Sequence, residues 1–441
     1  MILSPGAEKA IAALNKAGFE AYAVGGCVRD SLLGKNPTDF DITTSALPEE
    51  TKEVFKNEHV IETGIKHGTV TVLINGEPLE ITTFRIDKNY SDNRHPEEVL
   101  FTKSLSEDLS RRDFTINSLA FSEKTGVIDL FGGVCDLEHG IIRAVGDADK
   151  RFKEDALRIM RALRFASVLG FEIEEKTAES IKENAALLKN ISAERVFSEL
   201  SKLLCGKNAA KILLEHPEPF FEIIPELSVL KGFRQRHFRH HLDAFEHTAA
   251  VLEAVLPKPN LRFAALFHDI SKPLCQSIDE NGTAHYYGHA QKSAEIAETV
   301  LHKLKADSET VKTVSELVRR HEDRFAPEPK AVKRLLGKTS PEFFENLLLL
   351  MEADEQGKRK EFRLPHSEFE KFRKIKAEII ENEECFSLKN LAVTGLDLIS
   401  EGFEPGPEMG KILVTLLEKV IEGEVPNEKE ALLSTAKQIK Q

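Results

Sequence analysis

Two carboxylates, Asp39 and Asp41, follow a glycine pair and an arginine in the run YAVGGCVRDSLLGKNPTDFDITTSALPEE, residues 22–50. On a strand, alternate side chains share a face, so Asp39 and Asp41 point the same way while Phe40 and Ile42 point into a core. Two carboxylates side by side repel unless a cation lies between them. Gly25 and Gly26 let backbone N–H groups approach a phosphate, and Arg29 offers a planar donor fork to phosphate oxygens. Together these residues point to a nucleoside triphosphate held with metal ions. A second set comes later in the order His247, His268-Asp269, His289, His321, Asp354. Imidazoles and carboxylates on successive helices suit one or two divalent metals.

The elements that must position the first set can be read from local pattern. Residues 21–24 form a short β-favouring run ended by Gly25 and Gly26, residues 28–33 one or two helical turns stopped at Gly34, and Pro37 breaks the chain before the strand that carries Asp41. Residues 60–84 read as a hairpin turning at Asn75-Gly76. Lys66, His67 and Gly68 precede its first strand, near where a phosphate can lie. Glu80 alternates with Leu79 and Ile81, and is either a third carboxylate beside the aspartates or an exposed strand residue. The polar stretch 86–110 reads as a long loop. Residues 111–121, RRDFTINSLAF, read as a helix capped by Ser110 or Asp113, with Phe114, Ile116, Leu119 and Ala120 on its apolar face. Arg112 and Asn117 are phosphate or sugar donors by type. Residues 127–133 close the sheet.

Residues 147–170 read as one helix ending at Gly170, with Leu157, Met160 and Leu163 buried. Asp155 and Arg158 are neighbours on its surface, and Arg161 and Arg164 continue the row. By spacing alone this is a surface ion pair, worth little. A helix over 192–204 opens at Ser192 and carries Glu194 and Glu199 on its polar side. Beyond 358 the chain is helical and polar. Its Pro405-Gly406-Pro407 turn leads into a helix whose start suits a phosphate backbone read without sequence.

The 441 residues allow two to four domains with ample core. Five scattered cysteines without C-x-x-C spacing argue for reduced thiols, a cytoplasmic location and no thiolate zinc site. No apolar run is long enough to span a bilayer, and the N-terminus lacks the basic start of a secretory signal, reading instead as a capped amphipathic helix. The net charge of −13 argues against a general nucleic-acid binder. Arginines nevertheless cluster at 111–112, 158–164 and 234–239, so the pattern is an acidic chain with a focused basic site.

In its GGCVRD…TDFDITTSALPEE form the first stretch resembles the DNA polymerase β nucleotidyltransferase superfamily, and within it the class II tRNA nucleotidyltransferases and bacterial poly(A) polymerases. RRDFTINSLA and EDALRIMRALRFA resemble two further motifs of that family, and DKNYSDNRHP, with Asp87 and Arg94, its flexible loop. The resemblance implies an α+β fold: a small mixed β-sheet nucleotidyltransferase head at 1–140, then an all-α neck with the base-reading motif at 141–232. The order of histidines and aspartates resembles the HD phosphohydrolase superfamily, which implies an HD domain at 233–357, and the helical tail at 358–441 resembles a tRNA-binding tail. The implied activity is template-independent addition of CCA to the 3′ end of tRNA from CTP and ATP. Asp39 and Asp41 would hold two Mg²⁺ ions for two-metal nucleotidyl transfer. Gly25, Gly26, Arg29, Arg112 and Asn117 would bind the nucleotide, Asp155 and Arg158 would read C or A, and Arg161 and Arg164 would support them. His247, His268, Asp269 and Asp354 would hold a divalent metal at the HD site, with His289, His321 and Lys272 as auxiliaries, for a possible phosphohydrolase activity. His237, His240, His241, His285 and His302 fall outside that pattern. An enzyme adding only CC or only A, a poly(A) polymerase, and an HD phosphohydrolase using its head only to bind RNA stay open as alternatives. The expected partners are tRNA, CTP and ATP, with no membrane.

Overall fold

The computed structural model describes residues 2–62, 64–90 and 96–440. The chain divides into two compact units, residues 1–228 with 303–306, and residues 229–302 with 307–441.

In the first unit, α1 (Pro5–Lys16) is capped by Ser4, whose Oγ accepts from the Ala7 amide, and it buries Ala7, Ala10, Ile11 and Leu14. The chain continues through β1 (Ala21–Val24), α2 (Gly26–Leu32), β2 (Asp41–Thr44), α3 (Pro48–Val54), β3 (His59–Ile61), β4 (Thr69–Ile74) and β5 (Glu77–Thr83). The β4–β5 hairpin turns at Asn75 and Gly76, both with positive φ, 54° and 81°, as a tight hairpin turn requires. A seven-stranded sheet runs in the order β3-β4-β5-β2-β1-β8-β9, where β8 is Leu119–Ser122 and β9 is Gly126–Asp129. Within it β2 and β5 pair in parallel and the other neighbours antiparallel. Ile42, Val70, Val72, Leu79 and Ile81 are buried, as period-two alternation demands.

Three segments depart from the sequence reading. The stretch expected as a loop over 86–110 contains a two-stranded ribbon, β6 (Arg85–Tyr90) with β7 (Pro96–Phe101), and then α4 (Leu105–Ser110) capped by Ser104. Its sequence is too polar for hydrophobic periodicity to reveal the pairing. Residues 111–121 are not a helix. They form a single 3₁₀ turn, Thr115–Asn117, and then β8 (Leu119–Ser122). The Thr115 amide donates to the Arg143 carbonyl and the Asp113 carbonyl accepts from Val145, so distant backbone holds the segment. Phe114, Ile116, Leu119 and Ala120 are fully buried all the same. After β9 (Gly126–Asp129), at the sheet edge, come α5 (Gly133–His139) and β10 (Ile141–Ile142).

The third departure is a break in the expected helix at 147–170. It is two helices, α6 (Ala148–Glu154) and α7 (Leu157–Leu169), the second closed by Gly170 in the left-handed region. Asp155 is extended between them, and its Oδ1 accepts from the Leu157 amide at 3.1 Å. A short polar side chain bonding nearby backbone is what ends a helix. β11 (Glu172–Ile173), α8 (Glu175–Asn184), α9 (Ala193–Leu204), α10 (Ala209–Glu215) and α11 (Pro217–Ile223) complete the unit.

The second unit is helical: α12 (Ala244–Ala254), α13 (Pro259–Phe267), α14 (Lys272–Cys275), a small ribbon of β12 (Ser277–Ile278) and β13 (Ala284–His285), then α15 (His289–Lys303), α16 (Ser308–Arg320), α17 (Pro329–Lys338), α18 (Pro341–Gln356), α19 (His366–Glu381), α20 (Gly395–Ser400), α21 (Pro407–Glu422) and α22 (Lys429–Lys440). Phe263, Phe267, Leu317, Leu347 and Leu350 are fully buried along α13, α16 and α18. A separate cluster including Leu398, Leu416, Leu432 and Ala436 ties α20, α21 and α22 together. The Pro405–Pro407 turn leads into α21 as the sequence indicates.

Candidate active sites

The first site is built at one end of the sheet. Asp41 opens β2, with Val24 of β1 and Glu80 of β5 as its register partners. Asp39 lies two residues earlier and is exposed, while Phe40 and Ile42 turn into the core. Glu80 therefore stands beside Asp41. Burial pushes the Asp41 carboxyl up, the Glu80 charge pushes the same way, Arg112 pulls it down, and Asp39 adds a smaller push upward. Carboxylate oxygens under like-charge repulsion suit a hard divalent cation such as Mg²⁺, although Asp39, Asp41 and Glu80 do not bring three ligand atoms within 4.8 Å of one another.

Facing these carboxylates is the Gly25–Gly26 turn. Gly25 has φ +78°, and its amide donates to the Leu119 carbonyl of β8. A Cβ on Gly25 would lie 3.2 Å from Arg112 Nη1, whereas one on Gly26 would meet only Arg29 Nη2 at 3.7 Å. Arg112 lies 3.5 Å from the Asp108 carboxylate, and its Nε is buried without a partner. A buried guanidinium with an unused N–H beside a glycine turn fits a phosphate. Asp108 is fully buried. It accepts from Thr43 Oγ1 at 3.0 Å and from Arg111 at 2.8 and 3.0 Å. Arg111 and Arg112 hold its carboxyl below the usual range against the upward push of burial. Sequence reasoning missed Asp108, although its i,i+3 and i,i+4 spacing to the two arginines was a usable signal.

Arg29 donates from Nη1 to Asn117 Oδ1 at 2.7 Å and grips Asp30 through Nε and Nη2, each at 2.9 Å. Asn117 in turn donates to Asp113 Oδ1 at 3.1 Å, and Arg161 reaches Asp113 Oδ2 at 2.6 Å. Burial pushes Asp113 up, but Arg161 and the Asn117 hydrogen bond outweigh it and hold the carboxyl at about 2. Arg164 pairs with Glu199, which is buried rather than on the polar side expected for it. The guanidiniums of Arg164, Arg29 and Arg161 lie 4.0, 5.0 and 5.4 Å from the Phe165 ring centre. Phe165 joins the arginines of two separate sequence motifs, and sequence reasoning missed it. Asp155 and Arg158 do not pair with each other as neighbours on a continuous helix would. Asp155 Oδ2 lies 3.2 Å from Arg195, and Arg158 pairs with Glu154 at 2.9 Å. His67 ends a short 3₁₀ turn. Arg94, and the side chains of Lys66 and Asp87, lie outside the described residues.

The second site lies in the helical unit, where α12, α13, α15, α16 and α18 bring the six histidines and aspartates together. The ligand atoms of His247, His268, Asp269 and Asp354 lie within 4.8 Å of one another, as do those of Asp269, His289 and His321. Every one of the four imidazoles turns Nδ1 to a backbone carbonyl: His247 to Gly357 at 3.2 Å, His268 to Ala265 at 2.8 Å, His289 to Tyr286 at 2.8 Å, and His321 to Val318 at 2.6 Å. A carbonyl only accepts, so Nδ1 carries the proton and a neutral ring offers a bare Nε2. Each Nε2 then faces a carboxylate. His247 lies 3.0 Å from Asp354 Oδ1, His268 lies 3.2 Å from Asp269 Oδ2, His289 lies 3.1 Å from Asp269 Oδ1, and His321 lies 3.7 Å from the same Oδ1. Lone pair against carboxylate is unfavourable unless a cation intervenes, and an imidazole that ligates a metal usually donates its other ring N–H to a backbone carbonyl or carboxylate, as these four do. The donors fit two divalent cations sharing Asp269.

Lysines outside the expected metal ligands brace this centre. Lys272 Nζ lies 2.6 Å from Asp269 and 2.9 Å from Gln235 Oε1, and Lys358 Nζ lies 2.7 Å from Asp354. A cavity of about 330 Å³ opens over the centre, lined among others by Arg239, His240, Lys272, Arg324 and Lys358. His240, which fell outside the sequence pattern, stands 5.2 Å from the His247 ring. Burial, and then the charge of Lys272, push its imidazole down to about 2. Gly357 is needed for space, because a Cβ there would lie 2.3 Å from His247 Nδ1. Gln235, His240, Gly357 and Lys358 were missed because only the fold brings them beside the histidines.

The family model of the poly A polymerase head domain matches residues 21–143, that of a probable RNA- and SrmB-binding site of polymerase A residues 170–230, and that of a putative tRNA nucleotidyltransferase domain 2 residues 285–436. A CCA-adding enzyme of Lactiplantibacillus plantarum is 37% identical over 98% of this chain and 96% of its own length. The chain belongs to the CCA-adding enzyme family. Another member, from Enterococcus faecalis, is 37% identical over 96% of this chain and 93% of its own. The crystal structure of the Bacillus stearothermophilus CCA-adding enzyme in complex with CTP superposes with a TM-score of 0.71 at 30% identity, covering 99% of this chain and 98% of that one. The poly A polymerase head match runs from β1 to β10 and so contains Asp39, Asp41, Glu80, Arg112 and Asn117. Among the described residues, no helix is long and apolar enough to cross a membrane.

Proposed function

We propose that this chain adds C, C and A to the 3′ end of tRNA from CTP and ATP without a nucleic-acid template. The observation that carries this reading is the juxtaposition of Asp41 and Glu80 with Arg112 and the Gly25–Gly26 turn, in a chain of the CCA-adding family. Asp39 and Asp41 would hold Mg²⁺, which when bound lowers the pKa of the tRNA 3′-hydroxyl and offsets the charge of the triphosphate. Arg112 would meet the triphosphate charge, and Arg29, oriented by Asn117 and Asp30, would add a second guanidinium. These groups hold the nucleotide so that the 3′-hydroxyl attacks the α-phosphorus in line, a bond to the tRNA forms, and pyrophosphate leaves. Asp155 accepts from the exocyclic amino group of C or A while Arg158 donates to the ring acceptor beside it. Arg161 and Arg164, fixed by Asp113 and Glu199, keep α7 in place. On this reading residues 1–140 act as head, 141–232 as neck, and 358–441 as a tail holding tRNA by shape and backbone.

The convergence of four imidazole Nε2 atoms on two aspartates favours a second reaction at 233–357, hydrolysis of small phosphoesters such as 2′,3′-cyclic phosphates at RNA ends. His247, His268, Asp269 and Asp354, with His289 and His321, would hold divalent cations that polarise the phosphoester. Lys272, Lys358 and the cavity arginines would meet the phosphate charge.

The test of the main reading is to supply tRNA lacking its last three nucleotides with each nucleotide singly and together, and to size the products. CTP alone should add two residues, and CTP with ATP three. No extension, arrest at CC, addition of A only to tRNA ending in CC, or a long A tail would each contradict it.

A further inference from the structure

The ribbon of β12 and β13 pairs Ser277 with His285 and Ile278 with Ala284. The Ala284 amide donates to the Arg236 carbonyl at 3.0 Å, which ties the ribbon to the segment before α12. Asp279 closes its turn, with Oδ1 accepting from the Asn281 and Thr283 amides at 2.9 Å each. Asp279 Oδ2 lies 3.0 Å from His285 Nε2, so the same carboxylate fixes that imidazole. Tyr287 stacks on it, with ring centres 5.5 Å apart and planes 7° from parallel. Tyr286 is turned elsewhere. Its ring meets Phe233 and His289 edge-on, and its hydroxyl donates to the Gln235 carbonyl. Two residues after Tyr287 stands His289, the histidine that opens α15 and faces Asp269.

Tyr287 is 80% exposed, so its ring adds little to the core. It is nevertheless held flat by the fixed imidazole, and both rings line the cavity that Asp269, His289, His321 and Asp354 also line. A flat aromatic surface at the edge of a cavity with cationic walls is the complement of a nucleotide. Every base has a π-face to stack, whatever its sequence identity, and the phosphate charge is met by Lys272, Arg324 and Lys358. Resting on the reading that this centre hydrolyses phosphoesters, we propose that its substrates are nucleotides, free or at the end of an RNA, whose base stacks on Tyr287 while the phosphoester lies at Asp269. In the hydrolysis of a 2′,3′-cyclic phosphate, water adds to phosphorus, one of the two P–O bonds to ribose breaks, and the ribose oxygen takes a proton. Tyr287 touches none of those bonds. It holds ground state and transition state alike, so its loss raises KM and leaves kcat in place.

The test compares adenosine 2′,3′-cyclic phosphate, an oligoribonucleotide ending in the same cyclic phosphate, and the base-less methyl riboside 2,3-cyclic phosphate. Tyr287→Ala should raise KM for the nucleotide by about five- to a hundredfold, the range of one base–aromatic stack. KM for the base-less ester should stay put, and Tyr287→Phe, still aromatic, should behave as wild type. The larger kcat/KM of mononucleotide and oligonucleotide names the source, and the loss must appear on that one. Equal losses with and without a base, or no loss at all, overturn the proposal. So does a loss that follows Phe238→Ala instead, since Phe238 is 55% exposed and stacks on the cavity-lining His237. A second measurement needs no turnover. The chain has four tyrosines, so spectra of protein carrying ¹³C-labelled tyrosine are simple, and Tyr287→Phe identifies the Tyr287 signal. Adenosine 3′-monophosphate should shift that signal by its ring current, and methyl riboside 3-phosphate should not. A shift without hydrolysis of any phosphoester under Mg²⁺, Mn²⁺ or Ni²⁺ defeats the hydrolytic reading and keeps the nucleotide platform. Hydrolysis without a shift defeats the platform alone.

Discussion

Gly25→Ala and Gly26→Ala are one methyl group apart in chemistry and one residue apart in sequence, yet the structure assigns them different outcomes. Gly25 has φ +78° and ψ −126°, a conformation that L residues rarely adopt, and forcing alanine into such a region costs of order 1–3 kcal/mol. The added Cβ would also stand 3.2 Å from Arg112 Nη1, so the guanidinium must shift by a few tenths of an ångström. Gly26 lies inside α2 without positive φ, and its Cβ would find its nearest neighbour at an ordinary 3.7 Å. Thermal unfolding of the first unit should therefore fall by roughly 2–10 °C in Gly25→Ala, at a few degrees per kcal/mol for a unit of this size. Gly26→Ala should hold within about 2 °C on the same scale. On the role proposed for Arg112, its displacement also weakens a charge-assisted phosphate contact worth roughly 1.5–3 kcal/mol. KM for CTP and for ATP should then rise together in Gly25→Ala, by about ten- to a hundredfold. Differential scanning calorimetry and initial-rate kinetics read the two effects separately. Gly25→Ala with wild-type unfolding and wild-type KM, or a Gly26→Ala variant unfolding as early as Gly25→Ala, would refute the reasoning.

Other expectations follow from particular contacts. Asp113 is held at about 2 against an ordinary value of 3.8, so its pairing with Arg161 contributes stability that is full above about pH 4 and lost as pH falls toward 2, on the order of 2 kcal/mol. Denaturant titrations of wild type and Asp113→Asn should accordingly show a gap at pH 7 that narrows by pH 3, and a gap of constant size contradicts the assignment. On the proposed reading Asp155→Ala removes the acceptor for the amino group, so misincorporation of U and G should rise, as sequencing of the extended tRNA would register. His268→Ala with Asp269→Ala should release bound divalent metal and abolish hydrolysis of cyclic phosphates while sparing nucleotide addition. Metal content and hydrolysis both unchanged would leave the histidine centre without a chemical role.

How far the sequence revealed this arrangement depends on the reach of each interaction. The alternation of burial over residues 39–42 and the Asn75-Gly76 turn are local and legible, although the strand itself begins only at Asp41. The order of the six histidines and aspartates was also legible, but not what surrounds them, because His247 and the Gly357 carbonyl that orients it lie 110 residues apart. Local spacing misled at 111–121, where apolar positions compatible with a helix are fixed instead by backbone partners at Arg143 and Val145. It misled again at Asp155, where one side-chain hydrogen bond to the Leu157 amide breaks an otherwise helical run. Arg195, Glu199 and Phe165 meet Asp155, Arg164 and Arg29 only through the packing of separate helices, and no periodicity in the chain announces that.

The central claim is that Asp39 and Asp41 carry nucleotide addition in the head. The most direct measurement is single-turnover addition of CTP to tRNA lacking CCA by Asp39→Ala and by Asp41→Ala, alongside the tRNA Kd of each variant. The account predicts a rate loss of at least about a thousandfold, equivalent to several kcal/mol of transition-state stabilisation, with tRNA binding unchanged. Near wild-type turnover in either variant would contradict it.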